Sequence, residues 1–232
     1  MTLTKTLFIS GTDTDVGKTI CCKALLQAAT MRQKSTLAYK PIAAGCNVTK
    51  GGLRNHDALT LQANASIKND YDSINPIAFE EPIAPHIAAN INDYAIETDL
   101  ITEGLLALQQ QKPDLLLVEG AGGWRLPLSQ ETLLSDWVVE HKLPVIMVVG
   151  MKLGCLNHAM LTYEMMLNDG INVIGWVANQ LQSDMLFYEQ NLTFLKTKLL
   201  APLIAELPYF DDIGHVHLGK YVNWDLLNFN AI

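Results

Sequence analysis

An α/β domain, with one parallel sheet carrying helices on both faces, is the fold class this sequence predicts. Three observations predict it. The apolar run Leu7-Phe8-Ile9 passes through a glycine-bearing turn into Gly17-Lys18-Thr19 and a second apolar stretch, Ile20 to Leu26. Strand, turn, Gly-Lys-Thr and helix in that order form a phosphate-cradling P-loop. Five or more β–α alternations follow one another, and such alternation builds a parallel sheet. The strand segments are apolar throughout, as strands covered on both faces must be. All 232 residues read as a single domain, a size common for this class.

In chain order, the first helix spans residues 18–31, and Thr36-Leu37-Ala38-Tyr39 is a strand ending at Lys40-Pro41. Residues 43–52 are small, polar and glycine-bearing, a loop long enough to be functional or mobile. Asp57 to Gln62 begins a short helix with Asp57 as its N-cap. Residues 75–86 contain Pro76, Pro82 and Pro85, so a surface-running, non-helical segment is expected there. Leu100, Ile101, Leu105, Leu106 and Leu108 form a helical stripe over 98–110. Residues 114–118 are a strand opening into Glu119-Gly120-Ala121-Gly122-Gly123. Trp137-Val138-Val139 belongs to a helix, 144–149 to a strand, and Gly154-Cys155 leads into a helix ending near Asn168. Residues 173–178 form a strand closed by Asn179, 187–199 a helix, and Leu203-Ile204 a short last strand.

Composition narrows the function. The chain is 49% hydrophobic and 17% charged, which supports a sizeable core and excludes disorder. A net charge of −8 argues against nucleic-acid binding, which needs a basic footprint. No apolar run reaches membrane-spanning length. The N-terminus lacks the basic and apolar regions of a signal peptide. Cys21, Cys22, Cys46 and Cys155 have neither zinc nor disulfide spacing; reduced thiols and a cytoplasmic location are expected. His56, His86, His141, His158, His215 and His217 form no triad or metal spacing, and the four tryptophans are read as core or interface residues.

Parallel sheets collect ligands beyond the C-terminal ends of their strands. Gly17, Lys18, Thr19, Lys40, Glu119 and Asn179 all follow predicted strands on that edge. Loop N–H groups and the helix N-terminus favour a phosphate there, Lys18 adds positive charge, and the Thr19 hydroxyl suits Mg²⁺. Glu119 ends a strand where a P-loop enzyme keeps its acidic Mg²⁺ residue. One detail departs from the general motif: its spacing asks for glycine at position 12, yet this chain has Thr12, with Gly11 one residue early.

The segments Gly11 to Thr19, Tyr39-Lys40-Pro41, Gly52 to Ala58, Val118 to Trp124 and Gly154 to Ala159 together resemble the dethiobiotin synthetase family. The resemblance extends from the first strand to about Pro208, and the family's longer Gly-x₅-Gly-Lys-Thr loop accounts for Gly11. It implies ATP-dependent ring closure in biotin synthesis, in which 7,8-diaminononanoate, CO₂ and ATP give dethiobiotin, ADP and phosphate. One amine captures CO₂ as a carbamate, which attacks the γ-phosphate to give a carbamic–phosphoric anhydride; the second amine then closes the cyclic urea.

By this resemblance Lys18 and Lys40 are catalytic, and Thr19, Asp57 and Glu119 hold Mg²⁺. Nucleotide contacts fall on Asp15, Val16, Gly17, Lys18, Thr19, Ile20, Asp57, Glu119, Gly120, Ala121, Gly122, Asn179, Gln180 and Pro208, with Asn179 and Pro208 at the adenine. Substrate contacts fall on Thr14, Lys40 and Ala44. Gly154, Cys155, Leu156 and Asn157 would hold the substrate carboxylate from the partner subunit of a homodimer. Ala44 stands where well-known members have Ser, a loss of one neutral hydrogen bond, about 0.5–1.5 kcal/mol. Tyr188 is close to, but not in register with, a partner-chain Tyr of the family. Other classes predict different features. A partitioning-type ATPase predicts a second lysine early in the loop and a basic docking segment, but Thr12 to Asp15 and the acidic balance supply neither. A non-catalytic binding module needs no Mg²⁺ carboxylates, and another ATP-dependent ligase of the same fold is the nearest rival.

Overall fold

The central sheet contains β1 (Lys5–Gly11), β2 (Thr36–Tyr39), β3 (Leu115–Gly123), β4 (Val145–Met151), β5 (Val173–Gln180) and β6 (Leu203–Leu207). Their spatial order is β6-β5-β4-β1-β3-β2, with every adjacent pair parallel. The computed structural model describes residues 4–227; the first three residues of the stretch read for a signal peptide lie outside it.

Both faces are covered, and the strand pleat shows how. Leu7, Ile9, Leu115, Leu117, Ile146 and Val148 share one buried cluster with α1 (Lys18–Thr30), with Leu61 of α2 (His56–Asn64), and with the 3₁₀ turns Leu218–Tyr221 and Trp224–Leu227. The alternating residues Phe8, Leu116, Val118, Val145, Met147 and Val149 belong to a second cluster. That cluster takes in α3 (Pro85–Ile91), α4 (Thr98–Gln110), α5 (Leu134–Glu140), α6 (Cys155–Asn168) and α7 (Tyr188–Lys198). Period-2 orientation in continuously apolar strands thus feeds two cores at once. The four tryptophans are buried, at 1–7% exposure.

Three expectations need correction. Asn55, not Asp57, caps α2: its side chain accepts from the Asp57 and Ala58 N–H groups at 3.0 and 3.2 Å. An Asn two residues earlier reaches the first-turn donors, so the Asp57 carboxylate is free for other work. Residues 75–86 do not simply run along the surface. Ile77–Ala78 pairs with Ile42–Ala43, Asn75, Ile77 and Phe79 are buried, and Pro85 opens α3, because proline is tolerated in a first helical turn. The loop 43–52 contains part of a small hairpin, Asn47–Thr49 against Gly52–Arg54. Most strands also run on further than their sequence suggests: β1 to Gly11, β4 to Met151 and β5 to Gln180. β3 continues to Gly123, opposite Gly11, and β6 to Leu207.

Candidate active site

Strand register assembles the site. Tyr39 of β2 is level with Val118 of β3, so the residues that follow, Lys40 and Glu119, come out side by side at the C-terminal edge. The Lys40 ammonium donates to Glu119 Oε1 at 2.7 Å and to the Gly120 carbonyl at 3.2 Å. Asp57 Oδ2 lies 3.5 Å from the same nitrogen, brought there by the first turn of α2. On the other side of Glu119, the Thr19 hydroxyl donates to Oε1 at 2.8 Å.

Lys40 and Glu119 are taken out of water, at 3% and 1% exposure. Burial alone lowers the proton affinity of Lys40. The carboxylates of Glu119 and Asp57 outweigh that, holding the ammonium above its ordinary range. Lys18 meets the reverse balance. Burial first, and then the Lys40 charge, bring it down to about 8 against the pull of Glu119, Asp57 and Asp15. Its ammonium donates to the carbonyls of Gly122 at 2.6 Å and Asp13 at 3.1 Å, neutral partners that leave its charge uncompensated.

The loop's glycines have steric reasons. Gly17 caps α1 with φ 93°, and a Cβ there would meet the Asn179 amide nitrogen at 2.1 Å. A Cβ on Gly11 would meet Val16 at 2.6 Å and the Asp13 carbonyl at 2.9 Å. The early glycine is needed because the longer loop folds back over the end of β1. Asp15 takes a left-handed φ of 57° without being glycine.

One cavity of about 1180 Å³ is lined by Thr14, Asp15, Gly17, Lys18, Thr19, Ile20, Lys40, Ala44, Asp57, Glu119, Ala121 and Gly122. The structure therefore gathers most of the expected nucleotide and substrate residues around one space. Others sit behind or beside it. Val16 is fully buried and gives its carbonyl to the Asn179 amide at 2.9 Å. Asn179 thereby braces the loop. Gly120 lies beneath Lys40 against Phe8. Gln180 and Pro208 are partly buried at the ends of β5 and just past β6. Gly154, Cys155, Leu156 and Asn157 do not line this cavity. Tyr188 donates to Glu206 of its own chain at 3.0 Å.

Several cavity residues escaped the sequence reading, Asn55 and Lys23 among them. Asn55 lines the space and caps α2. Lys23 also lines it, and its spacing of four residues from Thr19, on one face of α1, was the available signal.

A family model described as an AAA domain matches residues 5–216. An ATP-dependent dethiobiotin synthetase BioD from Aliivibrio fischeri is 46% identical over 95% of this chain and 97% of its own. Another, from Aeromonas salmonicida, is 49% identical over 90% of this chain and 93% of its own. The chain belongs to the dethiobiotin synthetase family. Solved structures more distant in sequence share its fold. A ParA family ATPase from Chlorobium tepidum superposes with a TM-score of 0.55 at 14% identity, over 97% of this chain and 99% of its own. The MinC:MinD cell division complex from Aquifex aeolicus gives 0.55 at 14% identity, over 97% and 85%. Family membership thus sits on a fold shared with a ParA family ATPase.

Proposed function

We propose that this chain closes 7,8-diaminononanoate and CO₂ into dethiobiotin with ATP, releasing ADP and phosphate. One observation carries the reading. Lys40, a second buried ammonium besides Lys18, is held by Glu119 and Asp57 on the wall of the phosphate cavity. Joining two anions, a carbamate and a triphosphate, needs positive charge between them. Lys40 offsets the carbamate and Lys18 the β- and γ-phosphates, so the carbamate oxygen can approach phosphorus in line. Thr14 and Ala44 border the same space and would position the diamine.

The donor set fits Mg²⁺. Glu119 Oε2 is buried without a hydrogen-bond partner, a costly state unless a ligand completes it. With Thr19 Oγ1 and Asp57 it offers hard oxygen donors. Two carboxylates plus a hydroxyl leave the remaining positions to phosphate and water, as Mg²⁺ prefers. Thr19, Asp57 and Glu119 would hold the ion, which offsets charge on the phosphate oxygens when bound.

The substrate carboxylate is assigned to Gly154, Cys155, Leu156 and Asn157 of a second subunit. Cys155 donates its N–H to the Lys152 carbonyl and its thiol is buried, while the N-terminus of α6 favours an anion. Leu153 beside them is 97% exposed, with Leu161 and Met165 further along α6 also exposed; this apolar face supports a homodimer. The proposed setting is the cytoplasm, supported by four free, buried cysteines. Among the described residues no helix is long and apolar enough to cross a membrane.

The test is product formation. Purified protein with ATP, Mg²⁺, bicarbonate and diaminononanoate should yield dethiobiotin and ADP together. ADP release that ignores the diamine would overturn the assignment.

A further inference from the structure

We propose that Lys23 is a positioning residue for the nucleotide, clasping segment 209–217 against α1 so that it walls the nucleoside end of the cavity. This rests on the reading that ATP occupies that cavity. Lys23 is 8% exposed, and its ammonium donates to the carbonyls of Ile213 at 2.7 Å and Gly214 at 3.4 Å. Among the described residues no carboxylate pairs with it. A buried cation held only by carbonyls is poorly compensated as a structural device. Its location gives it a use: Lys23, Ile213 and Gly214 all line the cavity that Gly17, Lys18 and Thr19 line.

The clasp is one member of a row. Thr19, Lys23 and Gln27 follow at four-residue spacing down one face of α1. Thr19 reaches Glu119, Lys23 reaches 213–214, and Gln27 accepts from the Leu218 N–H at 2.7 Å while donating to Asn64 of α2 at 3.1 Å. Beside Leu218, Gly219 sits so close to α1 that a Cβ would meet the Ala28 nitrogen at 2.7 Å. The same helix that cradles phosphate at its N-terminus therefore fixes the chain leaving β6. Ile213 and Gly214 of the clasped segment thereby form part of the wall of the same cavity. An ammonium has three donors, and two of them hold the carbonyls of Ile213 and Gly214 in place.

Calorimetric titration with ADP and Mg²⁺, alongside steady-state kinetics, tests this. Lys23→Met should weaken ADP binding and raise KM for ATP about tenfold, the loss of a charged hydrogen bond. KM for the diamine and kcat at saturating ATP should stay within about twofold. Lys23→Arg, which keeps charge and donors, should recover affinity to within about threefold. Unchanged ADP affinity in Lys23→Met overturns the clasp, as does an equal rise in both KM values. If Lys23→Met does not fold, Lys23→Gln, which keeps an amide donor without the charge, is titrated under the same criteria. A protein that binds ADP yet makes no dethiobiotin refutes the proposed reaction, while the affinity comparison still decides the fate of Lys23.

Discussion

The two ends of the sheet treat charge in opposite ways. At the N-terminal end Asp114 is fully engaged: Oδ2 accepts from the Ser35 N–H and hydroxyl at 2.8 and 2.9 Å, and Oδ1 from Lys34 at 3.1 Å. The Ser35 N–H is the main reason its carboxyl lies below the ordinary range. At the C-terminal end Lys18 has only carbonyl partners, and Glu119 keeps one buried oxygen unpaired. The satisfied end ties β2 to β3, whereas the other leaves the Lys18 charge without a carboxylate partner. An unsatisfied buried polar atom costs stability, so the Glu119 oxygen marks a place where function outweighs it.

The largest expected effects break the C-terminal end. Lys40→Ala and Lys18→Ala should each lower kcat by at least about 10², the usual loss when charge stabilisation of a transition state is removed. Near-normal turnover in Lys40→Ala would remove it from the mechanism. Lys40→Ala should also cost about 3–5 kcal/mol in denaturant unfolding, because Glu119 is left buried without its cation. The pair Lys40→Met with Glu119→Gln should regain most of that stability and remain inactive, since neutralising both partners removes the burial penalty. A double variant as unstable as the single one would mean that the ion pair itself supports the fold.

At the other end the signs reverse. Asp114→Ala should cost about 1–3 kcal/mol of stability with kcat changed less than about twofold. Its contribution has a definite pH dependence. The folded carboxyl is depressed, so it stabilises above the ordinary carboxylate pKa of about 3.9 and loses that contribution as pH falls through the lower folded value. The stability gap between the unaltered protein and Asp114→Asn should stay constant near neutrality and shrink in acid. A gap that widened in acid would contradict the assignment.

The smallest effect concerns reactivity. Burial pushes the thiols of Cys21, Cys22, Cys46 and Cys155 up, and thiolate is the reactive form. Thiol alkylation at neutral pH should be slow for the native protein and rapid for all four cysteines after denaturation. Fast labelling of Cys21 or Cys22 in the native state would show that α1 opens readily.

Sequence determined what depends on neighbours along the chain. The P-loop, the β–α alternation and the helix stripes are local patterns, and Gly11, Gly17, Lys18 and Thr19 were legible because the loop and helix N-terminus lie within one segment. Strand ends on the ligand edge pointed to Lys40 and Glu119, and family motifs added Asp57. Tertiary structure decided what depends on register and packing. Lys40 meets Glu119 only because β2 and β3 pair Tyr39 with Val118. Asp57 reaches them because Asn55 takes over the helix cap. The orphaned Glu119 oxygen, the burial of Asn75 to Phe79 and the Lys23 clasp have no local signature, since each joins residues far apart in sequence. Short-range periodicity specifies elements, but the free energy of a buried charge is set by whichever groups the fold brings within a few ångströms.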